Sequence, residues 1–122
     1  MSYLVDLAAV DPKPIWAGVR ARIVQGERVT MAVVEIEPGG VVPEHHHANE
    51  QVGMVVQGRV TFQVGEEARQ LEVGGTWRIP RGTPHQVVAG EQGAVVVDIF
   101  SPPRADWEPI AAETGHRPLW PS

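Results

Sequence analysis

Four of the five histidines lie in two places, the run His45-His46-His47 and the single His85, and each place is next to a Gly/Pro turn. Residues i and i+2 of an extended chain point to the same face, so we expect His45 and His47 to share a face. Gln51 shares that face if the strand continues. Two imidazoles from one strand and a third from another strand form part of the coordination shell of a divalent ion, with positions left for water or substrate.

The chemistry of such a site is restricted by the absence of cysteine. Thiolate metal sites, disulfides and cysteine nucleophiles are excluded together, so a metal ion would be bound by histidine, carboxylate or amide groups. Imidazole sites accept Fe, Ni, Mn, Co or Zn, and the sequence leaves the identity of one divalent transition metal ion open. A solvated histidine cluster that binds no metal is the alternative interpretation.

A second candidate group is an acidic residue within the last apolar stretch of the chain. Asp98 follows residues 95–97, which are all valine, and precedes Ile99. A carboxylate in such a strand must be paired, bound to a metal or held with a raised pKa, and each case makes it a candidate for proton transfer. A salt bridge to an arginine such as Arg59 or Arg78 is the structural alternative.

Short apolar and β-branched stretches, bounded by glycine and proline, predict the strands that position these groups. Many short strands with regular turns are typical of an antiparallel sandwich or barrel, so we predict an all-β fold. Residues 4–10 and 108–114 are the candidates for short helices. The proline-rich tail is expected to form an irregular arm whose tryptophans pack on the barrel or on a second subunit. The predicted strands are residues 19–24, 28–36, 51–57, 60–64, 76–79, 86–89 and 94–100.

Length and charge exclude several classes of function. A chain of 122 residues corresponds to one domain, residues 1–122, and we place the barrel core at about 19–101 and the arm at 102–122. The net charge of -5 supplies no basic field for nucleic acid, and an acidic ligand would need a local arginine. No apolar run approaches the roughly 20 residues of a membrane span, and no signal peptide opens the chain. We therefore expect a cytoplasmic protein without nucleic-acid or membrane partners.

The spacing around the histidines resembles the first of two sequence motifs of the cupins. Gly39 is followed after five residues by His45-x-His47, after three more by Gln51, and after six more by Gly58.

The second cupin motif is matched by Gly74, then Pro80-x-Gly82 after five residues, then His85 after two more. Together the motifs imply a small antiparallel β-barrel of the jelly-roll type. The resemblance also implies that one metal ion is bound inside it by four residues, which are His45, His47, Gln51 and His85.

Two positions depart from the usual cupin pattern: Gln51 stands in place of a carboxylate ligand, and Ala89 in place of an asparagine. Three neutral imidazoles and a neutral amide leave the full charge of a divalent ion on the site. Such an ion is a stronger Lewis acid, and a higher oxidation state gains less stabilisation than beside a carboxylate. The ligand set therefore favours polarisation of a carbonyl or hydroxyl over redox chemistry.

The pattern Asp-x-Phe-Ser-Pro-x-Arg-x-Asp, from Asp98 to Asp106, resembles the KdgF-like group of small cupins. That group ketonises unsaturated uronates in pectin and alginate breakdown, and has the same His, His, Gln, His ligand set. The resemblance implies that Asp98 is the acid/base, that Phe100 is a wall of the cavity and that Arg104 binds the substrate carboxylate.

We accordingly predict a metal-dependent isomerase or tautomerase of a small acidic sugar, such as a 4,5-unsaturated uronate. The alternatives are a metal-dependent dioxygenase of a small molecule and a cupin that binds a sugar or metal without turnover. Small barrels with exposed edges commonly pair, and cupins of this size are often dimers, so a homodimer is expected.

Overall fold

The computed structural model describes residues 2–121, and its main feature is an eight-stranded antiparallel sheet. The prediction of an all-β fold is confirmed. The only described helices are two 3₁₀ turns, Leu7–Ala9 and Ala105–Trp107, neither of which is long or apolar enough to cross a membrane. The strands are β1 (Lys13–Trp16), β2 (Val19–Gln25), β3 (Thr30–Ile36), β4 (Val41–His45), β5 (Glu50–Val64), β6 (Glu67–Leu71), β7 (Thr76–Ile79) and β8 (His85–Ser101).

The sheet is organised by its two longest strands, β5 and β8, which pair along most of their length. The strand order is β1-β2-β3-β8-β5-β6, with β4 paired to β8 and β7 paired to β5. Alternate residues of these strands point inward, where valine, alanine, isoleucine and aromatic side chains form one buried cluster. The ends of β4 and β7 lie in the same region as the starts of β5 and β8. The site described below lies in this region.

Two pairs of predicted strands are single bent strands. Residues 51–57 and 60–64 both belong to β5, and residues 86–89 and 94–100 both belong to β8. The expected break falls at Gly58, where φ is 74° and a Cβ atom would collide with the carbonyl oxygen of Gly93. Glycine therefore permits a bulge and close contact between the two strands, rather than ending them.

The sequence pattern missed β1, β4 and β6 and predicted one helix wrongly. In β6 only Leu71 is buried, so this strand has no alternating apolar pattern. Residues 108–114 contain no helix. Instead, the tail runs along β2: Glu113 N donates to Pro12 O at 2.8 Å, and Arg20 Nε donates to Glu113 Oε1 at 3.0 Å.

Both ends of the chain are bound to the outer face of β2 by Arg22, whose side chain is only 1% exposed. Its Nη1 donates to Val10 O at 2.6 Å, and its Nη2 donates to His116 O at 2.9 Å. The arm predicted at 102–122 thus packs on the barrel of its own chain.

We predict that Arg22→Ala lowers the free energy of unfolding by about 2–3 kcal/mol, because two carbonyl groups lose a charged donor and a buried side chain is removed. Urea unfolding measures the change. The matched control is Arg20→Ala, which removes a half-exposed ion pair with Glu113 and should cost less than about 1 kcal/mol. Equal effects of the two substitutions would contradict the role of Arg22.

Candidate metal centre and adjacent cavity

The three histidines of the predicted ligand set converge at one end of the barrel. His45 ends β4, His85 begins β8, and the two are paired in register. His47 follows in the loop before β5. The ring centroids of His85 lie 4.3 Å from His45 and 4.9 Å from His47, and one nitrogen of each ring lies within 4.8 Å of the other two.

The backbone fixes the tautomer of each ring. In all three histidines Nδ1 lies at hydrogen-bond distance from a carbonyl oxygen, to which it donates, so Nε2 carries the lone pair in the neutral ring. Burial lowers the pKa of all three rings, and that of His85 falls to about 4. The rings are therefore neutral at pH 7. The acceptors are Pro43 O for His45 at 2.8 Å, Asn49 O for His47 at 3.0 Å and Thr83 O for His85 at 2.9 Å.

Two observations show that these groups fit a metal ion. His85 Nε2 is buried and has no hydrogen-bond partner among the described residues. His47 Nε2 lies 3.1 Å from Gln51 Oε1, and with Nδ1 protonated both atoms present lone pairs to each other. A cation bound to both atoms would remove the repulsion between these lone pairs. Neighbouring ligands that bind one ion at about 2.1 Å are separated by about 3 Å, so the donor set suits a divalent ion.

Gln51 reaches the histidines by a different route from the one predicted. β4 ends at His45 and β5 begins at Glu50, so the expected single strand through the ligands is interrupted by a loop. Gln51 points inward from β5 and is 6% exposed, whereas Glu50 is exposed. Gln51 Nε2 donates to Asp98 Oδ1 at 2.8 Å, which turns Oε1 towards His47.

Asp98 is buried beside this ligand set. Its Oδ1 also accepts a hydrogen bond from Trp77 Nε1 at 2.7 Å. Burial raises the pKa of Asp98 to about 6, against the opposing effect of the two hydrogen bonds and of the charge of Arg104. The alternative of a salt bridge to Arg59 or Arg78 is wrong, since the side-chain partners of Asp98 are Gln51 and Trp77.

The contact between Asp98 and Trp77 depends on Gly53, which faces both residues from β5. A Cβ atom on Gly53 would lie 2.5 Å from Asp98 Oδ1 and would also collide with the indole of Trp77. Neither Gly53 nor the hydrogen bond from Trp77 to Asp98 was predicted from the sequence. The sequence signal for this contact is a glycine that pairs with an inward tryptophan on one side and an inward aspartate on the other. It can be recognised only once the pairing of β5 is known.

Arg104 follows β8 and is also buried, with 6% exposure. Its guanidinium carbon lies 3.9 Å from the ring centroid of Trp107 and 4.8 Å from that of Phe100. Its Nε and Nη2 donate to the two carboxylate oxygens of Asp106 at 3.0 and 2.9 Å. Trp107, expected to pack on the barrel or on a second subunit, therefore also supports the guanidinium.

These residues border one cavity of about 40 Å³, which suffices for an ion with one or two waters. The remaining lining is mostly apolar, and Trp16 covers one side, with its ring 5.4 Å from that of His45. The structure thus brings the predicted residues together at one place. Those that line the cavity are His45, Gln51, His85, Asp98, Phe100 and Arg104.

Comparisons with known proteins agree with this architecture. Residues 32–100 match the family model described as Cupin domain. The pectin degradation protein KdgF of Dickeya dadantii (strain 3937) is 29% identical over 104 residues, which cover 80% of this chain and 94% of that protein.

Solved structures give the same result. KdgF from Halomonas sp. superposes with a TM-score of 0.78 at 30% identity, over 87% of this chain and 97% of that one. An RmlC-like cupin from Shewanella frigidimarina NCIMB 400 superposes with a TM-score of 0.81 at 21% identity, over 87% of this chain and 96% of that one, which shows the fold. Because the family model spans more than half of the sequence, this protein belongs to the cupin family, and within that family it is similar to KdgF.

Proposed function

We propose that this cupin is a metal-dependent tautomerase of a small acidic sugar, such as a 4,5-unsaturated uronate. The observation that carries the proposal is the position of Asp98, a buried carboxylate in contact with Gln51 and in the same cavity as Arg104. A proton carrier, a group for an anion and a candidate metal centre are thus adjacent. The similarity to a protein named for pectin degradation supports an acidic sugar as the substrate class.

The proposed cofactor is one divalent transition metal ion, Ni, Zn, Mn, Fe or Co. His45, His47, Gln51 and His85 would hold it, and when bound it supplies Lewis acidity for oxygen atoms of the sugar. All four ligands are neutral, so none of them offsets the charge of the ion.

Asp98 would move the proton. Opening of the hemiacetal ring moves the C1 hydroxyl proton to the ring oxygen, which becomes the hydroxyl of an enol. Ketonisation then removes that hydroxyl proton and forms a C–H bond at the neighbouring carbon, so one group that accepts and returns a proton is sufficient. Oδ1 of Asp98 is held by Gln51 and Trp77, which leaves Oδ2 for the transfer. A pKa of about 6 lets the carboxyl exchange a proton near neutral pH.

Arg104 would bind the carboxylate of the substrate. A guanidinium forms strong, directional hydrogen bonds to a carboxylate, and Phe100 packs beside it as a wall of the cavity. The enclosed volume is smaller than a sugar ring, so the ring would lie at the mouth, next to the partly exposed Trp16.

The metal centre is tested by its metal content. We predict that His85→Ala lowers bound metal at least about tenfold, because even residues that only orient a ligand contribute that much to affinity. His46→Ala is the matched control, since His46 is exposed and lies outside the histidine cluster. Plasma mass spectrometry of the purified variants gives the metal content per chain. Equal metal content in the two variants would contradict the assignment.

The role of Asp98 is tested by turnover. We predict that Asp98→Asn keeps the fold and the metal but lowers turnover of 4,5-unsaturated galacturonate at least about 100-fold, the low end of general acid/base contributions. Turnover is followed as loss of the ultraviolet absorbance of the double bond.

The control for Asp98 is Glu50→Gln, a neighbouring carboxyl that is exposed on the opposite face of the sheet. Undiminished turnover in Asp98→Asn would refute the acid/base role. If the wild-type protein binds metal but leaves the uronate unchanged, the dioxygenase and the non-catalytic binding protein become the better hypotheses, and oxygen uptake separates them.

We also propose a homodimer that forms through the outer face of the sheet. Val24, Met31, Ile99 and Val52 are aligned in register across β2, β3, β8 and β5, and Met54 extends the same face. Val24, Val52 and Met54 are each more than 40% exposed. A contiguous exposed apolar face of this kind is typical of an interaction surface.

For the dimer, we predict that Met54→Asp converts it to a monomer, because a charge buried within an apolar interface stays unpaired. Sedimentation velocity measures the change. Val41→Asp is the control, since Val41 is equally exposed but belongs to β4, away from this face. A monomeric wild-type protein would refute the proposal.

A further inference from the structure

Arg104 is held in an unusual way for a residue proposed to bind a substrate carboxylate, because a carboxylate of the chain already contacts it. Asp106 accepts hydrogen bonds from Nε and Nη2 at 3.0 and 2.9 Å, along one side of the guanidinium. The side chain of Arg104 is 7% exposed and that of Asp106 is 61% exposed. The pair therefore lies at the rim, with the arginine inside and the aspartate outside.

Stability alone is a weak reason for this pair, because Asp106 is exposed and water can solvate its carboxylate without Arg104. Other contacts already fix the place of Arg104: its backbone N donates to Thr30 Oγ1 at 2.8 Å, and its guanidinium packs over the rings of Phe100 and Trp107.

Those contacts leave the guanidinium free to rotate within its own plane, and Asp106 restricts this rotation. Aromatic rings attract a guanidinium to their faces, but the attraction depends little on which nitrogen points in which direction. Two parallel hydrogen bonds to one carboxylate fix that rotation. With Nε and one side of Nη2 used, the N–H groups of Nη1 and the other side of Nη2 remain for a ligand. Arg104 borders the cavity, so these donors are available to a group bound there.

We propose that Asp106 is a positioning residue, which orients the guanidinium of Arg104 so that its free N–H groups meet the carboxylate of an acidic sugar. The inference rests on the proposed function in one respect, namely that Arg104 binds this carboxylate. The opposite possibility is that Asp106 occupies the place of the substrate carboxylate and competes with it. The two possibilities predict changes of affinity in opposite directions.

The test is calorimetric binding of galacturonate, a stable acidic sugar, and of its neutral methyl ester to the metal-loaded protein. We expect Asp106→Ala to weaken galacturonate binding about tenfold, since charged hydrogen bonds of one group lose their orientation, and to leave ester binding unchanged. Metal content should stay as in the wild type. Asp106→Glu should recover part of the affinity, and Asp11→Ala, at an exposed carboxylate elsewhere, should have no effect.

Kinetics with the unsaturated uronate gives a second readout. We expect Asp106→Ala to raise KM about tenfold with kcat within about twofold, the signature of lost binding that is common to ground state and transition state. If Asp106 had only a structural role, Asp106→Ala would lower stability without raising KM at an unchanged kcat.

The outcomes separate this inference from the proposed function. Weaker galacturonate binding in Asp106→Ala supports the positioning role even if the wild-type protein turns over no uronate, in which case only the proposed reaction fails. Normal wild-type turnover with an unchanged KM and affinity in Asp106→Ala overturns the positioning role alone. Stronger binding in that variant overturns it in favour of competition. Absence of wild-type binding to galacturonate overturns it as well.

Discussion

The hydrogen bond from Gln51 Nε2 to Asp98 Oδ1 is the interaction on which the rest of the site depends. It orients the amide so that Oε1 faces His47, and it occupies one oxygen of the carboxylate while leaving the other free. A glutamate at position 51 would set two carboxylates against each other, and one of them would have to hold a proton. The glutamine that departs from the usual cupin ligand is therefore matched to Asp98, since an amide provides both a ligand oxygen and a donor.

Strand pairing holds this interaction in place. In the register of β5 with β8, Gly53 is opposite Asp98, and in the register of β5 with β7, Gly53 is opposite Trp77. Asp98 and Trp77 therefore meet over a residue without a side chain, and the indole donates to the same oxygen as Gln51. The buried carboxylate thus has two donors and no cationic partner in direct contact, which allows its pKa to stay raised.

Local sequence predicted the groups that meet at the cavity better than the contacts that support them. The histidine spacing and an aspartate within a valine-rich strand identified His45, His85 and Asp98, because these signals are local. Gly53 and the hydrogen bond from Trp77 to Asp98 were missed because both depend on cross-strand register. The strand breaks expected at glycines were wrong for a related reason, since Gly58 permits close approach of β5 and β8 that no single segment reveals. The helix predicted at 108–114 was wrong because the residues that hold the tail, Pro12 and Arg22, are about a hundred positions away in sequence.

The charges around the cavity restrict how this acidic protein could bind the anion proposed as its substrate. The net charge of -5 repels an anionic ligand at long range, and no basic surface offsets it in the sequence. Within the cavity the histidines are neutral, the Gln51 amide is neutral, and Arg104 is paired with Asp106. Attraction of a carboxylate would therefore depend on short-range hydrogen bonds from the Arg104 guanidinium, and on the charge of a metal ion bound by the histidines and Gln51. If recognition rests on local geometry in this way, affinity is sensitive to the direction of a few N–H groups. The exposed Asp106 at the rim would then influence binding at a buried site.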